Sequence, residues 1–230
     1  PISRRWPQAS ANMARTAAHM AEAQALLDEL AQADLAAAQQ PSPVDWLALP
    51  SLCLPALRAL SPARQRNALR HWLAHLTELP DSDHWCGWES LRDARGDATP
   101  RWRLGRGELQ RTGERVWWVG NSWLLPAEGP LAWPQPSTDL SLPGNGSLHL
   151  IGTAPAGRLQ VRYRAGGEWL VLPGRGRRDL KRLLNENGVP GFVRARLPLL
   201  FCEDQLIAVG NLPQLDAAAV SLVWTLPPAD

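Results

Sequence analysis

The chain has 230 residues, 45% of them hydrophobic, and a formal net charge of +2. That is too much apolar material for wholesale disorder and more chain than one small core needs, so two domains are expected. No run approaches the roughly eighteen apolar residues of a membrane-spanning helix.

Pro1 opens the chain with no charged-then-apolar leader, which reads as a piece of a longer protein rather than a secreted one. Cys53, Cys86 and Cys202 lie far apart without a CxxC pair. They fit thiols in a reducing compartment, so the expected location is cytoplasmic. Arginine supplies 23 of the 24 basic residues. Its planar fork suits phosphates and bases, but codon bias in a GC-rich genome gives the same composition, so only clustering counts. Twelve tryptophans against two phenylalanines and one tyrosine point mostly to core or inter-domain packing.

In chain order, residues 10–40 predict one long helix, with Met13, Ala17, Met20, Leu27 and Leu30 near a 3.6-residue period and Pro41 and Pro43 ending it. VDWLALPSLCLPALRAL reads as a short strand and a short helix. Ser61-Pro62 is an N-cap followed by proline at the first helical position. It opens a helix with Leu69, Trp72, Leu73 and Leu76 as buried stripe, and Arg64, Asn67, Arg70, His71 and His75 as open face. Pro80 closes it. After residue 100 the period changes to strands at Trp102/Leu104 and ELQRTGERVWWV, turning at Thr112-Gly113-Glu114. Residues 126–157 are rich in proline, glycine and serine and suggest the domain boundary. Beyond them strands are expected near 158–164 and 168–172, a helix near 177–187 capped by Gly188, and strands near 198–202, 205–209 and 219–226.

Charge is not spread evenly. Residues 158–196 carry nine arginines, one lysine and three acids, whereas residues 197–230 carry four acids and no base. In RLQVRYR, Leu159, Val161 and Tyr163 alternate with Arg158, Gln160, Arg162 and Arg164, which separates core from cation on a strand. In the following helix Leu180, Leu183 and Leu184 oppose Arg178, Lys181, Arg182 and Asn185. PGRGRRDL would set Arg175, Arg177 and Arg178 at a helix start, where the dipole favours an anion; a bound phosphate or the internal Asp179 would satisfy it. A polyanionic partner, RNA above all, is the expectation; an ordinary solvated face is the competing one.

No catalytic signature stands in the chain: GxxxxGK[ST], GxSxG and HExxH are all missing. Asp28-Glu29 and Glu203-Asp204 read as solvated helix and turn residues. His71 and His75 with His84 and Cys86 could in principle supply zinc ligands, but the HxC pair lacks a familiar pattern and no metal is expected.

GRRDLKRLLNENGVPGFVRARLPLLFCEDQLIAV resembles the C-terminal domain of the tRNA(Ile)-lysidine synthase family: a basic helix, then Val189-Pro190, Arg194, Leu197 to Leu200 and Leu206 to Val209. VRYRAGGEW is similar to that family's entry strand, LSPARQRNALRHWLAHL to its helical substrate-recognition domain, and the opening RWPQASANMARTAAHMAEAQALLDELAQADL to the long helix leaving its catalytic domain. Gly191-Phe192 departs from the family's proline and tryptophan, and the ATP-binding SGGxDS loop is not in the chain. The only GG pair, Gly166-Gly167, suits a hairpin turn.

The resemblance implies the tRNA-gripping part of an enzyme that activates C2 of the first anticodon cytidine of isoleucine tRNA with ATP and joins lysine through its ε-amino group. The expected fold class is α followed by α+β. Residues 1–135 would form a mainly helical substrate-recognition domain with a small β appendage, 136–145 a linker and 146–230 a basic α+β domain. No catalytic residue and no cofactor are expected in this chain, with ATP and Mg belonging to the catalytic domain. The partners would be isoleucine tRNA and that N-terminal catalytic domain, with no membrane; a homodimer is left open. The expected tRNA contacts are Arg162, Arg164, Arg175, Arg177, Arg178, Lys181, Arg194 and Arg196, then Arg64 and Arg70. A competing function is a protein-docking module whose basic face meets an acidic partner.

Overall fold

The computed structural model describes residues 6, 8–96, 98–172, 174–216 and 220–228. It combines helices with antiparallel sheets. Chain contacts separate two compact units: residues 1–40 with 51–117, and residues 41–50 with 118–230. The division therefore falls at Trp117, and the 136–145 stretch lies inside the second unit, where it holds a two-residue strand.

In the first unit, α1 spans Ala9–Ala38, but only its last turns are buried, through Ala31, Asp34, Leu35 and Ala38. The expected apolar period is thus a real helix with an open stripe: Met13 is 63% and Met20 64% exposed. Strand β1 (Ser51–Cys53) and α2 (Leu54–Arg58) lead into α3 (Pro62–Leu73). The Ser61 hydroxyl accepts from Arg64 N, and Pro62 follows it, so the helix starts where the sequence signals. It stops at Leu73, well before Pro80. Arg64 and Asn67 of its expected open face turn toward α1, where Arg64 Nε meets Asp34 at 3.1 Å and Asn67 donates to Leu27 O at 2.7 Å. Buried Gln65 accepts from Trp88 Nε1 and Arg92, both at 3.1 Å, and so ties α3 to α4 (Cys86–Asp93). Gly87 of α4 has the Trp102 ring where a Cβ would stand, at 2.2 Å, so glycine is required for that approach. Strands β2 (Arg101–Leu104), β3 (Gly107–Thr112) and β4 (Arg115–Gly120) complete a sheet of order β1-β4-β3-β2.

The second unit is richer in sheet. After α5 (Asn121–Leu124) come β5 (Leu131–Ala132), β6 (Leu140–Ser141), β7 (Ser147–Gly152), β8 (Leu159–Arg162), β9 (Trp169–Leu172) and β10 (Gly176–Asp179). Two short helices follow, α6 (Leu180–Glu186) and α7 (Gly191–Arg194), then β11 (Leu199–Cys202), β12 (Gln205–Val209) and β13 (Val220–Thr225). The sheets run β12-β11-β8-β5, β13-β7-β6 and β10-β9. Residue 219 of the last expected strand lies outside the described residues. Alternation does the sorting here: Leu159 and Val161 of β8, and Leu148 and Leu150 of β7, point into the core. Trp46, Trp123 and Trp224 cluster at ring spacings of 6.0 Å, and Trp224 Nε1 donates to Asn145 O at 2.8 Å.

One expected element changes identity. The helix predicted near 177–187 begins only at Leu180, and residues 176–179 pair with β9, Arg178 opposite Leu170. Gly174 and Gly176 adopt φ of +69° and +67°, a backbone that ends any helix reaching back from Leu180. Asp179 is the N-cap, its carboxylate accepting from Arg182 N at 2.9 Å.

Candidate nucleic-acid interface

Three different fates divide the basic block. The first is burial. Arg196 is 2% exposed and cannot meet a phosphate, contrary to the expectation drawn from sequence. Its Nε donates to Asn145 Oδ1 at 3.0 Å, its terminal nitrogens donate to the carbonyls of Ser122, Leu125 and Gly144, and its guanidinium lies 5.2 Å from the Trp123 ring centroid. A charge out of water needs such partners on every donor.

The second fate is internal pairing on a half-buried surface. Arg162 meets Asp204 at 3.1 Å and caps the Phe201 ring at 4.5 Å. Arg164 meets Glu168 at 3.3 Å. Glu168 is held below its usual range: burial pushes it up, but hydrogen bonds from Gly166, Ala165 and Arg164 outweigh that. Arg194 donates to Val189 O at 2.8 Å and Asn185 Oδ1 at 2.6 Å. Burial, and then the neighbouring Arg164 charge, lower its pKa.

Exposure is the third. Arg175, Arg177, Arg178 and Lys181 are all solvent-facing, and among the described residues none pairs with an acid. Arg175 lies in the turn before β10, Arg177 and Arg178 on β10 and Lys181 in the first turn of α6, so the three arginines project from a hairpin rather than a helix start. At the helix terminus Asp179 caps Arg182 N, the internal alternative to a bound phosphate. Arg175 and Arg178 share a cleft of about 150 Å³ with Arg182, against Asp179 and Glu186. Arg177 stacks 3.9 Å from the Trp169 ring centroid. Trp169 was not among the expected contacts. Its signal was present in EWLVL, where Trp169 and Val171 alternate with buried Leu170 and Leu172, leaving an apolar outer face.

Arg64 and Arg70 belong to the first unit. Arg64 is committed to buried Asp34, whereas Arg70 is exposed, 5.6 Å from the Trp85 ring centroid. His71 lies 3.7 Å from Asp28 and edge-on to His75. Among the described residues no three of His, Cys, Asp and Glu converge as metal ligands, and no helix is long and apolar enough to cross a membrane.

Comparison with known proteins matches residues 52–117 to the TilS substrate binding domain and residues 159–221 to the TilS substrate C-terminal domain, together more than half of the chain. The first match ends at Trp117, where the first compact unit ends. The chain is 58% identical to a tRNA(Ile)-lysidine synthase of Pseudomonas aeruginosa, across 100% of its own length and 53% of that protein's. For the Pseudomonas putida protein of the same name the values are 57%, 98% and 53%. For the Salmonella typhimurium one they are 34%, 97% and 54%. The chain thus spans about half the length of the curated relatives it matches.

Proposed function

The chain belongs to the tRNA(Ile)-lysidine synthase family, and from that premise we propose that it is the tRNA-gripping portion of such an enzyme. The observation that carries this reading is the unpaired cationic row Arg175, Arg177, Arg178 and Lys181 on a matched C-terminal domain. A polyanion is the partner that such a row fits, since exposed cations without acids gain most from releasing a phosphate's counterions.

In the full-length enzyme, lysine is joined to cytidine at the first anticodon position of isoleucine tRNA with ATP. The catalytic residues, ATP and Mg belong to the N-terminal catalytic domain, which is also this chain's intramolecular partner. The two compact units, residues 1–40 with 51–117 and residues 41–50 with 118–230, each hold a share of the tRNA body, and the isolated chain forms no lysidine. Arg162, Arg164 and Arg194 contribute at the margin of the row, since each already has an internal partner. Arg70 supplies a contact from the helical part, Arg64 chiefly shape.

Titrating the chain with isoleucine tRNA over a salt series tests this. If four phosphates are neutralised, affinity falls as about the third to fourth power of salt. A salt-insensitive complex, or equal affinity for an acidic protein, would return the basic face to a protein-docking role.

A further inference from the structure

The second unit contains a pocket of about 300 Å³ whose walls include Arg162, Gly166, Gly167, Trp169, Phe201 and Asp204. That volume is at the lower end for small-ligand sites, room for one planar ring system with its substituents. Nine of the chain's twelve tryptophans are buried, yet Trp169 is 40% exposed on this wall. Both aromatic walls are braced by a cation, Trp169 by Arg177 at 3.9 Å and Phe201 by Arg162 at 4.5 Å. At the rim Gly166 and Gly167 adopt φ of +101° and +81°, with open space where a Cβ would stand, so a ligand can approach the backbone closely.

Two features decide against a phosphate inside the pocket. Two of the turn's N–H groups are already taken, Ala165 and Gly166 donating to Glu168 Oε1 at 2.6 and 2.7 Å. Asp204 adds a carboxylate that is 94% exposed and engaged with Arg162 through Oδ1. A rim carboxylate repels anions and accepts from N–H donors. Flat aromatic walls, an acceptor at the edge and cations on the same hairpin are the chemistry that receives an unstacked base.

Building on the RNA-binding reading, we infer that this pocket takes one unpaired nucleobase with an exocyclic amino group. The base stacks on Trp169 and donates to Asp204, while Arg175, Arg178 and Lys181 hold the adjoining backbone. Uracil, which has no exocyclic amine, is the poorer occupant.

The test compares a blunt RNA hairpin with the same hairpin bearing a short single-stranded extension that contains 2-aminopurine, each titrated with the 230-residue chain. The extension should tighten binding about tenfold and its fluorescence should quench on stacking. Trp169→Ala should abolish the quench and make the two RNAs bind alike, on top of any loss both share because Arg177 is no longer stacked. If that variant fails to fold, Asp204→Ala, altered at an exposed side chain, removes the acceptor and tests the same site by erasing the preference for an amino-bearing base over uracil in the extension. Wild-type affinity that ignores the extension, or a Trp169→Ala loss equal for both RNAs, overturns the pocket while RNA binding stands. If neither RNA binds, the RNA reading itself has failed.

Discussion

Arg196 and Arg178 stand eighteen positions apart in one basic block, yet the fold uses them in opposite ways. Arg196 is sealed behind three backbone carbonyls, an asparagine and a tryptophan, while Arg178 lies exposed on a strand and, among the described residues, forms no ion pair. The same side chain is structural where its donors are all answered from within, and available where none is. Net charge over a window cannot separate the two, because it counts guanidinium groups and not their partners.

The sharpest way to break this contrast is Arg196→Met. The thioether fills part of the space but leaves the carbonyls of Ser122, Leu125 and Gly144 without their donor, and Asn145 without one partner. The expected loss is about 3–5 kcal/mol, read from urea unfolding of the chain. A loss under 1 kcal/mol, on the order of a surface substitution, would mean that Arg196 is not a structural centre.

Reversing Arg178 and Lys181 to glutamate should do the opposite. Both are exposed, so urea unfolding should move by no more than about 0.5 kcal/mol. Affinity for tRNA should drop about a hundredfold at low salt, and the salt exponent should shrink by about two. Unchanged affinity with folded protein removes the hairpin row from the interface.

Much of the fold was legible. Ser61-Pro62 announced α3, the Thr112-Gly113-Glu114 turn joined β3 to β4, and β8, β9, β11 and β12 lie within a residue or two of their expected ranges. The site was legible only as a region. RRDLKRLL carries a helical period, but two left-handed glycines and the Asp179 cap defer the helix by one strand. Arg196 was illegible for another reason: its partners lie 51 to 74 residues away, and nothing local distinguishes it from Arg194. The open stripe on α1 shows the same limit, since a period reports which face is apolar and not what covers it.

The smallest effect belongs to one arginine of intermediate fate, Arg164, through its acid partner Glu168. Its folded pKa is depressed despite burial, because Gly166 N, Ala165 N and Arg164 all favour the charged carboxylate. A depressed pKa means that the charged form adds stability above the ordinary carboxylate range, and that this is lost as pH falls through the folded value. Glu168→Gln keeps an acceptor for the turn but removes the charge. It should therefore cost about 1 kcal/mol near neutral pH, and the gap to the parent protein should close as both are acidified. Releasing Arg164 from its pair should also raise tRNA affinity slightly, by less than a factor of about five, since the freed guanidinium joins the cations already facing solvent. A stability gap that is constant across pH would show the Glu168 turn to be held by packing, and Arg164 would then belong with Arg196 rather than with the hairpin.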